Sequence, residues 1–118
     1  MRDIRELAER LHDFAVARDW EQFHSPKNLA MGLAGEAGEL LAEFHWLTPE
    51  EAAGIMADPQ AARQVRSEIA DVFLYLTRLA DVLGVDLLSS AADKLEENER
   101  RYDATTYPQQ PTQGTRVT

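Results

Sequence analysis

Two pairs of acids stand out by their spacing: Glu36 and Glu39 in Glu36-Ala37-Gly38-Glu39, and Glu68 and Asp71 in Glu68-Ile69-Ala70-Asp71. Members of each pair are three residues apart, so on a helix their carboxylates point the same way. Each pair lies beside an apolar stripe rather than opposite one. Carboxylates at the edge of a core lose hydration and repel one another. A bound divalent cation removes that cost. Magnesium takes oxygen ligands of this kind, and manganese can stand in for it. The chemistry implied is capture of a hard cation that can in turn neutralise an anionic substrate.

The elements that must position these acids read as helices almost throughout. A first amphipathic helix covers about residues 3–18, with Ile4, Leu7, Leu11 and Phe14 on one side. The stretch from Asp19 to His24 has aromatic and polar residues but no helical stripe, and reads as a loop. Ser25-Pro26 starts a second helix, serine as N-cap and proline at the first helical position, running to about Trp46. Thr48-Pro49-Glu50-Glu51 contains a capping box and opens a short helix ending near Ala57. Asp58-Pro59 starts a long helix that stops at Gly84, and Asp86 can cap a last one to about Tyr102. Strand signals are absent. The chain is expected to be all-α, a four-helix-bundle type of long antiparallel helices plus a short one. Residues 1–103 form its domain, and 104–118, rich in Thr, Gln, Pro and Gly, form a polar, flexible tail.

With 118 residues, 44% of them apolar, the chain has material for one core. It has no cysteine, which removes thiolate metal sites and disulfides and fits a reducing compartment. The charged start Met1-Arg2-Asp3-Ile4-Arg5-Glu6 is no signal peptide, and nothing approaches the ~20 apolar residues of a membrane helix. The expected setting is the cytoplasm, with no membrane partner. A net charge of -9 makes nucleic acid polymers poor partners. A small phosphorylated substrate remains open, provided it arrives with metal ions and meets local cations such as Lys27, Lys94, Arg78, Arg100 and Arg101.

At ~100° per residue the helices can be unrolled. Leu29, Leu33, Ala37, Leu40 and Phe44 form the stripe of the second helix, with Glu36, Glu39 and Glu43 along one edge. Val65, Ile69, Val72, Leu76, Leu79 and Leu83 form that of the long helix, with Glu68, Asp71 and Tyr75 along its edge. Packed antiparallel, the two acidic edges face each other. The back faces, Met31 with Gly35, Gly38 and Ala42, and Ala70 with Phe73, Leu74 and Thr77, are not polar, so both helices read as buried nearly all round. That suggests oligomerisation. Gly32, Gly35 and Gly38 each cost about 1 kcal/mol against alanine in mid-helix. Close helix approach offsets this, between subunits or within one chain. Arg63 and Arg78 read as surface or subunit contacts.

These same residues resemble the all-α nucleoside triphosphate pyrophosphohydrolases, the MazG-like superfamily, and within it the dCTP pyrophosphatase branch. The likeness rests on Arg18-Asp19-Trp20-Glu21-Gln22-Phe23-His24, on Pro26-Lys27-Asn28-Leu29, on Gly35-Glu36-Ala37-Gly38-Glu39-Leu40, on Trp46, on Glu68 to Leu76, and on Lys94 with Asn98, Arg101 and Tyr102. It covers about residues 3–102. The resemblance implies hydrolysis of a deoxynucleoside triphosphate, dCTP or a 5-modified form of it, to the monophosphate and pyrophosphate, in cleansing of the nucleotide pool. It implies that Glu36, Glu39, Glu68 and Asp71 hold magnesium. It further implies that Trp20, Glu21, Gln22, Phe23, His24 and Trp46 line the base and sugar pocket, that Asp71 and Tyr75 belong to the substrate side, and that Lys94 and Asn98 face the phosphates. Homo-oligomers, dimers or tetramers, whose subunits complete one another's sites are implied as well. Two features depart from that branch. Its first-helix histidine is matched by Leu11, with His12 one position out of register. Asp103 follows Tyr102 where proline is usual.

Breaking a phosphoanhydride needs positioning and charge neutralisation more than covalent work. Glu39 or Glu36 is expected to accept the proton of the attacking water. By composition alone Trp20 and Trp46 read as core or interface aromatics; by the resemblance they stack on a base, worth roughly 1–3 kcal/mol. Lys94 can equally pair with Glu97 or Asn98. Three other readings stand beside the dCTP enzyme: a dUTP-preferring pyrophosphohydrolase, a broad one, and a non-enzymatic acidic scaffold that binds a partner protein or a cation. The aromatic loop near four acids favours an enzyme.

Overall fold

Side chains set most of the helix starts. In the computed structural model, which describes residues 1–105, five helices each begin at a residue whose side chain accepts a backbone N–H. Asp3 takes Glu6 N at 2.8 Å, Ser25 takes Asn28 N at 3.1 Å, Thr48 takes Glu51 N at 3.1 Å, Asp58 takes Gln60 N at 3.2 Å and Asp86 takes Ser89 N at 2.8 Å. Each such cap is worth about 1 kcal/mol. Glu51 completes the capping box by accepting from Thr48 N at 2.8 Å. The helices are α1 (Ile4–Ala17), α2 (Pro26–Ala42), α3 (Pro49–Ala53), α4 (Pro59–Leu83) and α5 (Leu87–Arg101), with 3-10 turns at Glu21–Phe23 and Ile55–Ala57. No strand occurs among the described residues, so the all-α expectation holds. The predicted tail lies, from residue 106 on, outside the described residues.

Two boundaries and one loop differ from the sequence reading. Helix α2 ends at Ala42, not near Trp46, because the Leu41 carbonyl accepts both Phe44 N at 2.9 Å and His45 N at 2.8 Å and winds the chain into turns. No glycine or proline marks that stop. The short helix is cut by Gly54, beyond which only a 3-10 turn continues. The loop after α1 contains a 3-10 turn at Glu21–Phe23. It is entered through Asp19, whose φ of 55° is left-handed, a conformation aspartate tolerates. Gly84 closes α4 at φ 71°, as its position suggests.

The backbone forms two compact units, one spanning Met1–Gly84 and the other beginning at Val85 with α5. In the first unit α4 is the centre: α2 packs along it, and α1 and the Ile55–Ala57 turn also contact it. The α2–α4 pair is antiparallel, since Gly32 meets Tyr75 whereas Glu36 and Glu39 meet Glu68. Ala15, Leu29, Ala62, Val65 and Ala80 are the buried apolar core.

The inward face of α4 is not the expected one. Ile69 is 52% exposed, and Leu76 and Leu83 are exposed as well, while Glu68 at 5% and Thr77 at 1% are buried. Apolar residues occur on more than one side of α4, so periodicity alone leaves its rotation open. Helices α2 and α4 are consequently not buried all round in the single chain: Met31, Leu41, Ile69 and Phe73 are open. The three mid-helix glycines also part ways. A Cβ on Gly32 would overlap the Tyr75 ring, so this glycine admits Tyr75 between the helices of one chain. Gly35 and Gly38 face open space.

Gly32→Ala gains about 1 kcal/mol of helix propensity but forces the Tyr75 ring out of place, an overpacking cost of roughly 1–3 kcal/mol. The expected outcome is a net loss of stability, read as a melting temperature several degrees lower in a thermal unfolding scan.

Candidate active site

Helix α2 brings Glu36 and Glu39 one turn apart onto the side facing α4, and α4 supplies Glu68. One carboxylate oxygen from each of the three lies within 4.8 Å of the other two. Glu68 is 5% exposed. Its Oε1 accepts from Gln64 Nε2 at 2.7 Å. Its Oε2, and Oε2 of half-buried Glu36, are buried without a hydrogen-bond partner among the described residues. A carboxylate oxygen in that position has lost water and gained nothing. Burial first, and then the charges of Glu39, Asp71 and Glu68, hold the Glu36 carboxyl above the usual carboxylate range. Asp71 stands outside the triangle of three, yet its charge acts on Glu36. Two orphaned buried oxygens and an all-carboxylate donor set fit a hard divalent cation.

Next to the acids along α4 lie two cavities, of about 190 and 270 Å³, that share Trp20, His24, Leu29 and Tyr75 as walls. Tyr75 is one helical turn from Asp71, which ties the aromatic walls to the acidic cluster. The loop after α1 holds Trp20 firmly. Its N–H donates to Ala15 O at 2.9 Å, and its ring meets Phe14 edge-on at 5.5 Å. Arg18 stacks on the other ring of that pair, 3.6 Å from the centroid of Phe14. Phe23 lines the second cavity, and its carbonyl accepts from Asn28 Nδ2 at 3.0 Å. Gln22 is engaged locally with Asp19, at 3.0 Å to its carbonyl and 3.1 Å to its carboxylate. Glu21 is exposed, near His12.

Arg78 departs most from the sequence reading. Rather than a surface or subunit contact, it is 6% exposed and lines the first cavity. Its Nε donates to His24 Nδ1 at 3.1 Å, and its Nη1 reaches His12 Nδ1 at 3.3 Å and Asp81 Oδ2 at 3.5 Å. An arginine in a helix reads as surface by default; the signal against this was its place three residues after Tyr75, on the same face. His12, out of register in the sequence, still converges on this group, while Leu11 lines the cavity itself. Desolvation, and then the Arg78 charge, lower the His24 pKa, opposed by Glu21.

Other expected residues lie elsewhere. Trp46 is 87% exposed, edge-on to His45 with ring centroids 4.5 Å apart, and lines neither cavity. Lys94 and Asn98 belong to α5 in the second unit. Lys94 pairs with Glu97 at 3.4 Å, one of the local pairings the sequence allowed, and Asn98 Oδ1 is buried without a hydrogen bond among the described residues. No helix among the described residues is long and apolar enough to cross a membrane.

An all-α chain that packs two acidic helix faces against each other, beside an aromatic cavity, defines a helical carboxylate-site protein of the kind the motifs resembled. Residues 31–110 match the MazG-like family, and the chain belongs to it. It is 43% identical over 105 residues to dCTP pyrophosphatase 1 of Homo sapiens, covering 88% of this chain and 59% of that protein. The same protein of Bos taurus is 42% identical over 103 residues, covering 86% and 59%. The chain thus spans about three fifths of the length of these relatives. A crystal structure of a pyrophosphatase from Archaeoglobus fulgidus superposes with a TM-score of 0.78 at 36% identity, covering 84% of this chain and 91% of that one.

The raised Glu36 pKa has a defined sign. The metal-free folded chain holds that proton more tightly than the unfolded chain, so its stability falls as pH rises from the ordinary value of 4.5 upward. Glu36→Gln should raise the melting temperature of chelator-treated protein at neutral pH by a few degrees. It should also abolish the increase that added divalent cation gives the unsubstituted protein. Thermal scans with chelator and with magnesium chloride measure both.

Proposed function

We propose that this chain is a magnesium-dependent nucleoside triphosphate pyrophosphohydrolase. It takes dCTP or a 5-modified dCTP in the cytoplasm and removes it from the deoxynucleotide pool. The observation that carries this reading is the convergence of Glu36, Glu39 and Glu68 at one helix pair that also walls an aromatic cavity. Family membership, the dCTP pyrophosphatase 1 relatives and the archaeal pyrophosphatase support it. Water cleaves the anhydride between the α- and β-phosphorus, giving the monophosphate and pyrophosphate. Bound magnesium, for which manganese can substitute, would neutralise phosphate oxygens and lower the pKa of water.

Glu36, Glu39, Glu68 and Asp71 hold the ion. Glu39 or Glu36 accepts the proton that water gives up. Trp20 and Tyr75 stack against and flank the base, with Phe23 beside them, and His24 supplies a polar contact. Gln22 and Glu21 serve the same loop. Residues 1–103 are the working part. For Lys94 and Asn98, on the last helix, the family resemblance implies phosphate contacts. Trp46 joins the pocket through assembly: the open residues Met31, Leu41, Ile69 and Phe73 support a homo-oligomer, dimer or tetramer, in which a second subunit covers them. The polymer phosphates of nucleic acid and the membrane surface are no partners of so acidic a chain.

Pyrophosphate release from a panel of triphosphates, with and without magnesium, tests the reading. Release from dCTP that stops on chelation is expected. Preference for dUTP, or equal use of all, would move the base assignment, and release from none would favour a cation-binding scaffold. Glu39→Gln is expected to lower kcat by at least about 100-fold with unchanged helical circular dichroism. Turnover retained in that variant removes Glu39 from the mechanism.

A further inference from the structure

Arg78 is a buried cation with no role in metal capture, and its partners are unusual. Its Nε–H meets a histidine ring nitrogen, His24 Nδ1, at 3.1 Å. Arginine has donors only, and remains charged at any pH a protein survives. The ring nitrogen must therefore accept, so it carries no proton. His24 is then neutral, with its one N–H at Nε2. The groups around this contact agree. From α4, Asp81 Oδ2 accepts from Arg78 Nη1 at 3.5 Å. From α1, His12 Nδ1 lies 3.3 Å from the same Nη1, and from the loop Glu21 lies 3.9 Å from His12. The guanidinium is held by acceptors on two helices and one loop residue, so its plane is fixed. Protonation of His24 would break the 3.1 Å bond and set imidazolium against guanidinium. Burial and the Arg78 charge both oppose it, and Glu21 alone favours it.

With Nδ1 occupied, Nε2–H is the only donor the ring can offer, and it has no partner among the described residues. The ring lines both aromatic cavities. We propose that Arg78 is a positioning residue: it locks His24 in the Nε2–H tautomer, and so makes the cavity select a base that presents an acceptor, such as the O2 and N3 edge of a pyrimidine, rather than an amino group. This rests on the proposed nucleotide reaction for the identity of the ligand, but the lock itself does not.

Nitrogen-15 NMR of the whole chain labelled at histidine reads the lock directly. The expected pattern is a pyridine-like Nδ1 and a pyrrole-like Nε2 at His24, persisting as pH falls below the ordinary 6.5. A proton on Nδ1 in the unsubstituted chain overturns the proposal. In Arg78→Met the tautomers should mix and His24 should titrate closer to its ordinary value. With dCTP as substrate, that variant should show KM raised about tenfold, the loss of one charge-assisted hydrogen bond's worth of ordering, with kcat within about threefold. Arg78→Lys, which keeps a donor, should recover part of the KM. Adding Arg78→Met to His24→Ala should raise KM no further. A fall in kcat alone, or additive effects in the double variant, would show that Arg78 acts by another route. If the unsubstituted chain releases no pyrophosphate, the proposed reaction fails, while the NMR pattern still decides the tautomer.

Discussion

Like charges packed against a core are the constraint that organises the first unit. Glu36, Glu39 and Glu68 converge while Glu68 is nearly fully buried. Left to themselves, they would separate or take up protons. They stay because the antiparallel contact of α2 with α4 is fixed by other means. Gly32 yields its side-chain space to Tyr75, and caps at Ser25 and Asp58 set where each helix begins. Gln64 satisfies one oxygen of Glu68 and leaves the other with nothing. Strain of this electrostatic kind is stored, and a cation is the natural means of releasing it.

The aromatic cavity answers a different need with the same helix. Tyr75 belongs to both regions, one turn from Asp71 and against the wall shared with Trp20. Further along α4, Arg78 inverts the local charge: a chain of net charge -9 keeps a buried guanidinium at the far side of the cavity from the acids. Negative potential at one end and positive at the other suit a ligand whose anionic part arrives with metal and whose other part is neutral and flat.

The helix starts were legible because a cap is a local event. Ser25-Pro26, the Thr48–Glu51 box, Asp58-Pro59 and Asp86 each announce themselves within four residues, and each is found. The end of α2 was not legible, since no residue type breaks it; a carbonyl shared by two amides does. Glu36, Glu39 and Glu68 were legible because helical spacing and an adjoining stripe restrict where a carboxylate can point. The rotation of α4 was not, because Ile69, Phe73 and Leu76 offer a second apolar side as good as the first. Arg78 escaped for the same reason. Once Glu68 rather than Ile69 faces inward, residue 78 comes inward too, and burial of a guanidinium depends on acceptors from His12, His24 and Asp81, which lie far apart in sequence. Trp46 shows the limit in the other direction: motif likeness put it beside Trp20, and in the single chain it stands in solvent.

Ile69 directly follows Glu68, and Phe73 is two residues beyond Asp71, so the helix that presents the anions also presents an oily side to water. A second subunit covering that side would add packing to the helix that carries Glu68 and Asp71, and so would couple to the spacing of the carboxylates. Thermodynamic reciprocity then joins the two events: shielding tightens ion uptake by the same factor that ion uptake tightens shielding. Under the self-association proposed above, dilution would loosen the grip on the ion, and the abundance of the polypeptide would itself become a control on how much of it is competent.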